Sequence, residues 1–283
     1  KLQTVIVDES YEKNTPSYKE FKNKNLNITQ LRKLNLICKK NNIILFSSPG
    51  GKKSLNLIMK LNFPVIKISS GQMTNLDLIS NCLKFNKPLI ISTGMAFENE
   101  IDQILSSFSI RQLKQTILLK CTSLYPSPDS TINLNGMITL MNRYKYCHVG
   151  YSDHTLDDFA PILAVAMGAT VIEKHFTISR QLPGPDHPFA LEPNQLKEMV
   201  DEIIFAEIMM GGTKGKYSKS ELNFIKARRS IVAKSNIKVG DILTVDNITT
   251  KRPYLEGNLA ASEWFNTLGK KSNQNYNIDD FIK

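Results

Sequence analysis

Short apolar, β-branched runs recur at residues 2–7, 43–46, 65–68, 89–91, 117–121, 146–149 and 170–172, and each is followed by a polar loop and then a helical pattern. The runs predict seven strands. Between them the spacing predicts helices over 28–40, 54–61, 76–85, 98–108, 134–144 and 158–168, with a longer one over 193–210. Strand and helix alternating over roughly 200 residues imply a parallel sheet with right-handed crossovers. A closed (β/α)₈ TIM barrel has eight such units. With seven strands in this sequence, and a start at Lys1 already inside strand-like sequence, the expectation is a barrel whose first strand and helix lie upstream.

The pattern breaks at Gly211-Gly212-Thr213-Lys214-Gly215-Lys216, where glycine and charge replace apolar periodicity and predict a domain boundary. The expected organisation is a barrel domain over 1–212, a linker over 213–227 and a small β-rich domain over 228–283. In the last region short strands over 230–233 and 248–251, with Val239-Gly240-Asp241 as a turn signal, supply a core too small to stand easily alone.

Composition adds exclusions. The chain of 283 residues is 41% hydrophobic and 22% charged, as for an ordinary soluble globular protein. Its formal charge of +10 comes from lysines scattered among Asn, Asp and Glu rather than from a basic stripe with interleaved aromatics. Nucleic acid is therefore not the expected partner, whereas an anionic substrate is favoured. The four cysteines, Cys38, Cys82, Cys121 and Cys147, have no paired spacing and predict reduced thiols and a cytoplasmic protein. No apolar run reaches the roughly 18 residues that span a bilayer, so no membrane association is expected.

In barrels of this class active sites lie at the C-terminal ends of the strands. The polar residues there are Lys1 and Gln3, Ser47 and Ser48, Lys67 and Ser70, Ser92 and Thr93, Thr122, Ser123 and Tyr125, Ser152 and His154, and Glu173 and His175. Hydroxyls and lysines in that number suit a phosphate or a carboxylate. His154 and His175, each with a carboxylate nearby in sequence, end two consecutive strands, and Glu173 shares a face with His175 while Lys174 points the other way. Two imidazoles with oxygens from water or substrate suit an open divalent-metal site. The stiff loop Leu182-Pro183-Gly184-Pro185-Asp186-His187 is a candidate cover for the mouth.

Several motifs in order carry a resemblance: Lys67-Ile68-Ser69-Ser70-Gly71, Ser92-Thr93-Gly94-Met95, Cys121-Thr122-Ser123 with Tyr125-Pro126, Gly150 to Thr155, Glu173-Lys174-His175-Phe176 and Pro183-Gly184-Pro185-Asp186. Together they resemble the sialic acid synthase family, and Arg229-Ser230-Ile231-Val232-Ala233 with Lys251-Arg252-Pro253 resembles that family's C-terminal antifreeze-like (SAF) domain. The resemblance implies condensation of phosphoenolpyruvate with an N-acylated amino sugar such as N-acetylmannosamine, giving a nine-carbon α-keto sugar acid and phosphate. Residue by residue it implies Lys1, Ser48, Lys67, Ser70, Ser92, Ser123 and Ser152 for phosphoenolpyruvate, and Gln3, Tyr125, Glu173, Asp186 and Arg252 for the sugar. Glu173, Lys67 and Tyr125 are the catalytic candidates. His154 and His175 would hold the metal, Mn2+ before Mg2+ or Co2+. The family arginine matched by Arg252 serves the partner subunit, which implies a domain-swapped homodimer. The chain departs from the family at Gln72, Lys120 and Pro49-Gly50-Gly51, and no residue matches the glutamate of the family's first strand. Two other readings of the residues are a different phosphoenolpyruvate-dependent aldol-type synthase and a catalytically degenerate sugar-binding or assembly protein.

Overall fold

A computed structural model of the chain describes residues 1–22, 24–212 and 218–283. It divides into two compact units, Lys1–Gly211 and Gly212–Lys283. Residues 213–217, the first part of the expected linker, lie outside the described residues.

The first unit is built on seven parallel strands that pair in sequential order: β1 Leu2–Thr4, β2 Ser47–Pro49, β3 Ile66–Ile68, β4 Leu89–Ser92, β5 Thr116–Cys121, β6 His148–Asp153 and β7 Ile172–Lys174. The helices that follow include α1 Val7–Ser10, α2 Pro16–Phe21, α3 Ile28–Lys40, α4 Lys52–Lys60, α5 Leu76–Leu83, α6 Glu98–Leu105, α7 Ile110–Lys114, α8 Asn135–Arg143, α9 Phe159–Ala166 and α10 Pro193–Met210. This is the α/β class that the alternation predicts. The central strands are apolar almost throughout because both faces are covered: Ile66, Ile68, Ile91 and Leu118 pack with Leu78, Ile104, Met137 and Ala164 of the helices. Each such fully buried aliphatic side chain stabilises the fold by about 1.5–3 kcal/mol.

Local chemistry sets several joints. Asn27 and Gln30 form a capping box that starts α3. Glu9 at the end of α1 accepts hydrogen bonds from the backbone N–H groups of Lys53 and Ser54, so a carboxylate closes the N-terminus of α4. A side chain at Gly150 would run into the backbone oxygen of Val171 and into Leu119, so glycine there lets β7 approach β6. The two strands pair through Tyr151↔Ile172, Ser152↔Glu173 and Asp153↔Lys174.

The sheet curls until its two edges face each other. Among the described residues β1 and β7 do not pair, yet Lys1 Nζ comes within 3.8 Å of Glu173 Oε2. A cavity of about 660 Å³ lies between them, lined by Lys1, Gln3, Glu173 and Lys174 with Phe46 and Leu119.

Strand positions differ from expectation at two places. The run 43–46 predicts β2, but Ile43 and Ile44 are exposed and the strand is Ser47–Pro49. The run 146–149 predicts β6, but the strand continues through Gly150 to Asp153. In both cases the paired segment extends into polar residues at the catalytic end, where hydroxyls replace apolar side chains. Thr4 Oγ1 and Ser47 Oγ lie 2.7 Å apart across β1 and β2, which satisfies two buried hydroxyls within the sheet.

In the second unit, β8 Ser230–Ala233 pairs antiparallel with β9 Ile248–Lys251, and Ile231, Ile237, Leu243, Ile248, Tyr276 and Ile282 form a small core. Among the described residues no helix of the chain is long and apolar enough to cross a membrane.

Candidate active site

Period-two alternation on β6 and β7 divides their ends into two faces. Ser152, Glu173, His154 and His175 line a pocket at the C-terminal ends of the strands, together with Lys1, Gln3, Lys67, Ser70, Ser92, Cys121 and Tyr125. Asp153 and Lys174 point to the opposite side and form a buried ion pair. Tyr151 Oη and Thr155 Oγ1 donate to the same carboxylate at 2.9 and 2.8 Å, and Lys174 Nζ also donates to the backbone oxygens of Thr155 and Asp157. The sequence reading that gives each histidine a nearby carboxylate is thus corrected for Asp153. That group is occupied behind the site.

The charged end of the pocket centres on Lys67, whose side chain is 1% exposed. Its ammonium donates to Ser92 Oγ at 2.6 Å and to the backbone oxygen of Ile68 at 3.0 Å, and it lies 3.6 Å from Glu173 Oε1. Burial lowers its pKa to about 8, against the opposing pull of Glu173. For Glu173, burial pushes the carboxyl up, but Lys67 and Lys1 with a hydrogen bond from Ser152 at 2.9 Å outweigh it and hold the group below its ordinary value. The result is an ionised carboxylate between two lysines.

Two hydroxyls at the strand ends are left over, Ser123 by Gly94 with Ser70 and Cys121, and Ser48 in the adjoining cavity that shares Gln3. Ser48 Oγ and Ser123 Oγ are buried and have no hydrogen-bond partner among the described residues. Buried polar groups without partners are uncommon, and a bound water, ion or ligand is one way in which such a group is satisfied. Gly94 keeps the space around Ser123 open, because a side chain there would collide with the hydroxyls of Ser123 and Ser70.

At the other end the imidazoles of His154 and His175 lie edge to face with ring centroids 5.2 Å apart. His154 Nδ1 is 2.7 Å from the backbone oxygen of Thr122, an acceptor, so Nδ1 carries the proton and donates. Cys121 Sγ is 3.9 Å from the same nitrogen. His175 Nδ1 lies 3.5 Å from Asp186 Oδ2. Burial lowers the His175 pKa to about 4, against the pull of Asp186, so its ring is neutral at pH 7. Among the described residues neither ring has a hydrogen-bond partner at Nε2. Anchored at Nδ1 and open at Nε2, the pair has the donor set of an open metal site. No third His, Cys, Asp or Glu among the described residues completes a cluster around them, so the remaining ligands would be water or substrate oxygens.

Tyr125 stands over both rings, with centroid distances of 4.3 Å to His154 and 5.9 Å to His175. Burial raises its phenol to about 12, so it remains a hydrogen-bond donor at neutral pH.

A protein-family model, the NeuB family, matches residues 3–215. The chain belongs to the NeuB family. A SAF domain matches residues 228–283. The NeuB-family chain is 40% identical over 261 residues to N,N'-diacetyllegionaminic acid synthase of Campylobacter jejuni, an alignment covering 91% of this chain and 77% of that protein. Among solved structures it is similar to a putative spore coat polysaccharide biosynthesis protein E from Chromobacterium violaceum, at 28% identity and a TM-score of 0.81, with 97% of this chain and 82% of that one covered. It is also similar to N-acetylneuraminic acid synthetase from Leptospira borgpetersenii in complex with citrate, at 30% identity and a TM-score of 0.73, covering 80% and 78%. The chain is thus a member of an enzyme family of acid synthases.

Within this NeuB-family fold, most residues singled out from the sequence meet at one mouth. Lys1, Gln3, Lys67, Ser70, Ser92, Tyr125, Ser152, His154, Glu173 and His175 line one pocket. Ser48 lines an adjoining cavity that shares Gln3. Asp186 of the proline-rich loop joins through His175. Arg252 follows β9 in the second unit and is exposed.

Cys121 and Ser69 are the pocket residues that strand-end reasoning overlooks, and Gly94 borders them without a side chain of its own. The period-two signal was available for Cys121, which ends β5 in register with Ser152. Two departures from the family pattern touch each other: Gln72 Nε2 donates to the backbone oxygen of Gly50 at 3.2 Å, a bond that an ionised glutamate could not make. A third, Lys120, donates to Thr122 Oγ1 and to the backbone oxygen of Ile132, holding the loop after β5.

Proposed function

We propose that the protein condenses phosphoenolpyruvate with an N-acylated amino sugar to give a nine-carbon α-keto sugar acid and inorganic phosphate. The observation that carries this reading is the set of buried polar groups at the strand ends: unpartnered hydroxyls on Ser123, by Gly94 with Ser70 and Cys121, and on Ser48, in the cavity that shares Gln3, with the buried Lys67 ammonium on Ser92. A phosphoenolpyruvate anion would supply the missing acceptors and the counter-charge.

In this reading Lys1 and Lys67 bind the carboxylate and phosphate, with Ser70, Ser92, Ser123 and Ser152 as hydroxyl donors. C3 of phosphoenolpyruvate attacks the aldehyde carbon of the open-chain sugar. Water adds at the resulting cationic C2, and the C2–O bond to phosphate then breaks, leaving the ketone. Glu173, held ionised between two lysines, stabilises the positive charge that develops at C2 and accepts a proton from the attacking water. Tyr125 and Gln3 hold the sugar, with Asp186 beside His175. A divalent cation, Mn2+ in this proposal, held at Nε2 of His154 and His175 would polarise the sugar aldehyde as a Lewis acid. In the same proposal the protein is a homodimer in which Arg252 reaches the sugar bound by the partner subunit.

The test is phosphate release from phosphoenolpyruvate with MnCl2 and a panel of N-acylated amino sugars, using the intact protein. Release that depends on sugar and on Mn2+ is expected. Folded protein that releases no phosphate with any sugar would overturn the proposal.

A further inference from the structure

We propose that the end of the first unit remote from the pocket is a contact surface for an anionic lipid bilayer. The seven strands are parallel, so the segment leading from each helix into the next strand emerges at the N-terminal ends of the strands, away from Lys67 and the imidazoles. Six such segments, 39–46, 60–65, 84–88, 106–115, 144–147 and 167–171, enter β2 to β7, and all eight of their charged residues are cationic. Lysines that look scattered along the sequence are gathered by the fold.

Lys39, Lys40, Lys60, Lys84, Lys114 and Lys145 are exposed here, as is Arg111, and Lys87 is half-buried. Among the described residues none of the eight forms an ion pair. Lys84 and Lys87 donate to neutral amide oxygens, of Asn81 at 3.0 Å and of Asn62 at 3.1 Å. Asp102, in the last turn of α6, is engaged by Arg143, and Glu207, in the last turn of α10, lies outside the six segments. The catalytic rim is different in kind, because it mixes signs: Lys52 there pairs with Asp77 at 2.8 Å.

A helix dipole favours a cation in the last turn, which accounts for Lys39, Lys40 and Lys60. It accounts neither for Lys87 and Lys145, which lie in loops, nor for the large apolar side chains standing among the cations. Ile43 is 58% exposed, Ile44 67%, Ile110 58% and Tyr146 55%. Cations interspersed with isolated apolar side chains match a bilayer bearing negative headgroups: the ammonium groups meet lipid phosphates while isoleucine and tyrosine enter the headgroup boundary. Fixed phosphates or carboxylates on a folded partner favour the planar fork of arginine, which these segments hold once, whereas lysine is a point charge that suits a fluid surface. Such a contact lies on the membrane and needs no spanning helix.

The experiment is sedimentation of the intact protein with large vesicles, of phosphatidylcholine alone or with about 30 mol% phosphatidylglycerol. At about 0.1 M salt, partitioning should be at least about tenfold stronger on the anionic vesicles, and about 1 M salt should abolish the difference, because the reach of the charges shrinks from about 10 to about 3 Å. Equal partitioning on both vesicles, or none on either, overturns the proposal. Retention on immobilised poly-L-glutamate without binding to anionic vesicles overturns it as well and assigns the face to an acidic polypeptide. Lys60→Glu, Lys84→Glu and Lys87→Glu together should lower partitioning about tenfold or more, with folding checked by circular dichroism. Lys13→Glu, Lys19→Glu and Lys22→Glu, the same change of charge in the connection after β1, should lower it by no more than about threefold. An equal loss in both triple variants would reveal an effect of net charge and overturn the assignment to this face. Ile44→Ser should weaken anionic binding about threefold, and an unchanged value would overturn the entry of its side chain into the bilayer.

Discussion

The two faces of β6 and β7 carry similar residue types and treat them in opposite ways. Behind the site, Asp153 and Lys174 are buried together, and every strong donor or acceptor is answered: Tyr151, Thr155 and two backbone oxygens complete the network. In the pocket, Glu173 is shared by two lysines at 3.6 and 3.8 Å, and at other strand ends Ser48 and Ser123 lack partners. A buried polar network that closes on itself stabilises one geometry. One left open has bonding capacity for something else. The difference separates a structural group from a functional one more sharply than burial does, because Lys67 and Lys174 are almost equally hidden, at 1% and 3% side-chain exposure.

The comparison breaks if charge removal on either face has the same consequence. The largest effect is expected for Lys67→Met, which should lower kcat/KM for phosphoenolpyruvate by about 10³-fold, or ~4 kcal/mol, while the thermal midpoint stays or rises. Steady-state kinetics beside calorimetry would show whether activity and stability separate. For Asp153→Ala the order reverses: an unpaired buried Lys174 should cost about 3–5 kcal/mol of stability in urea unfolding. A loss of under ~1 kcal/mol would mean that the back network does not hold the strand ends.

Smaller effects sharpen the picture. Gly94→Ala should raise KM for phosphoenolpyruvate about tenfold by crowding Ser70 and Ser123, with Tm little changed. The pH profile carries a sign. Lys67 is charged below about pH 8 and neutral above it, so kcat/KM for an anionic substrate should fall as pH rises through about 8. Stability should move oppositely. The unfolded lysine keeps its proton up to its ordinary value of 10.5, so between about 8 and 10.5 the unfolded state binds more protons and Lys67's contribution to stability rises with pH. The smallest effect belongs to Ser123→Ala, expected to weaken phosphoenolpyruvate about fivefold, ~1 kcal/mol, in isothermal titration.

The fold was legible because strands covered on both faces must be apolar, and the runs around Ile66, Leu89 and Leu118 had no other outlet. Much of the pocket was legible for the complementary reason, that polar residues immediately after such runs share one rim. What failed was the point where sheet gives way to loop. Ser47-Ser48-Pro49 pairs as a strand whose only apolar side chain is Pro49, with the Ser47 hydroxyl bonded across to Thr4 where aliphatics pack elsewhere. Asp153 misled because proximity in sequence to His154 suggested a shared task, while the alternation of the strand sent the two side chains to opposite sides. The open corner beside Gly94 was hidden because an empty space has no residue of its own.

Gly150, which lets the β7 backbone come close to β6, has a consequence for how such a catalyst can diversify. The separation of the two faces is maintained by main-chain spacing and by residues behind the sheet, so the rim positions are relieved of holding the scaffold together. Exchanges along the rim, at Gln3 or Phe176, can then alter what the mouth admits without disturbing the backbone that presents the lysines and imidazoles.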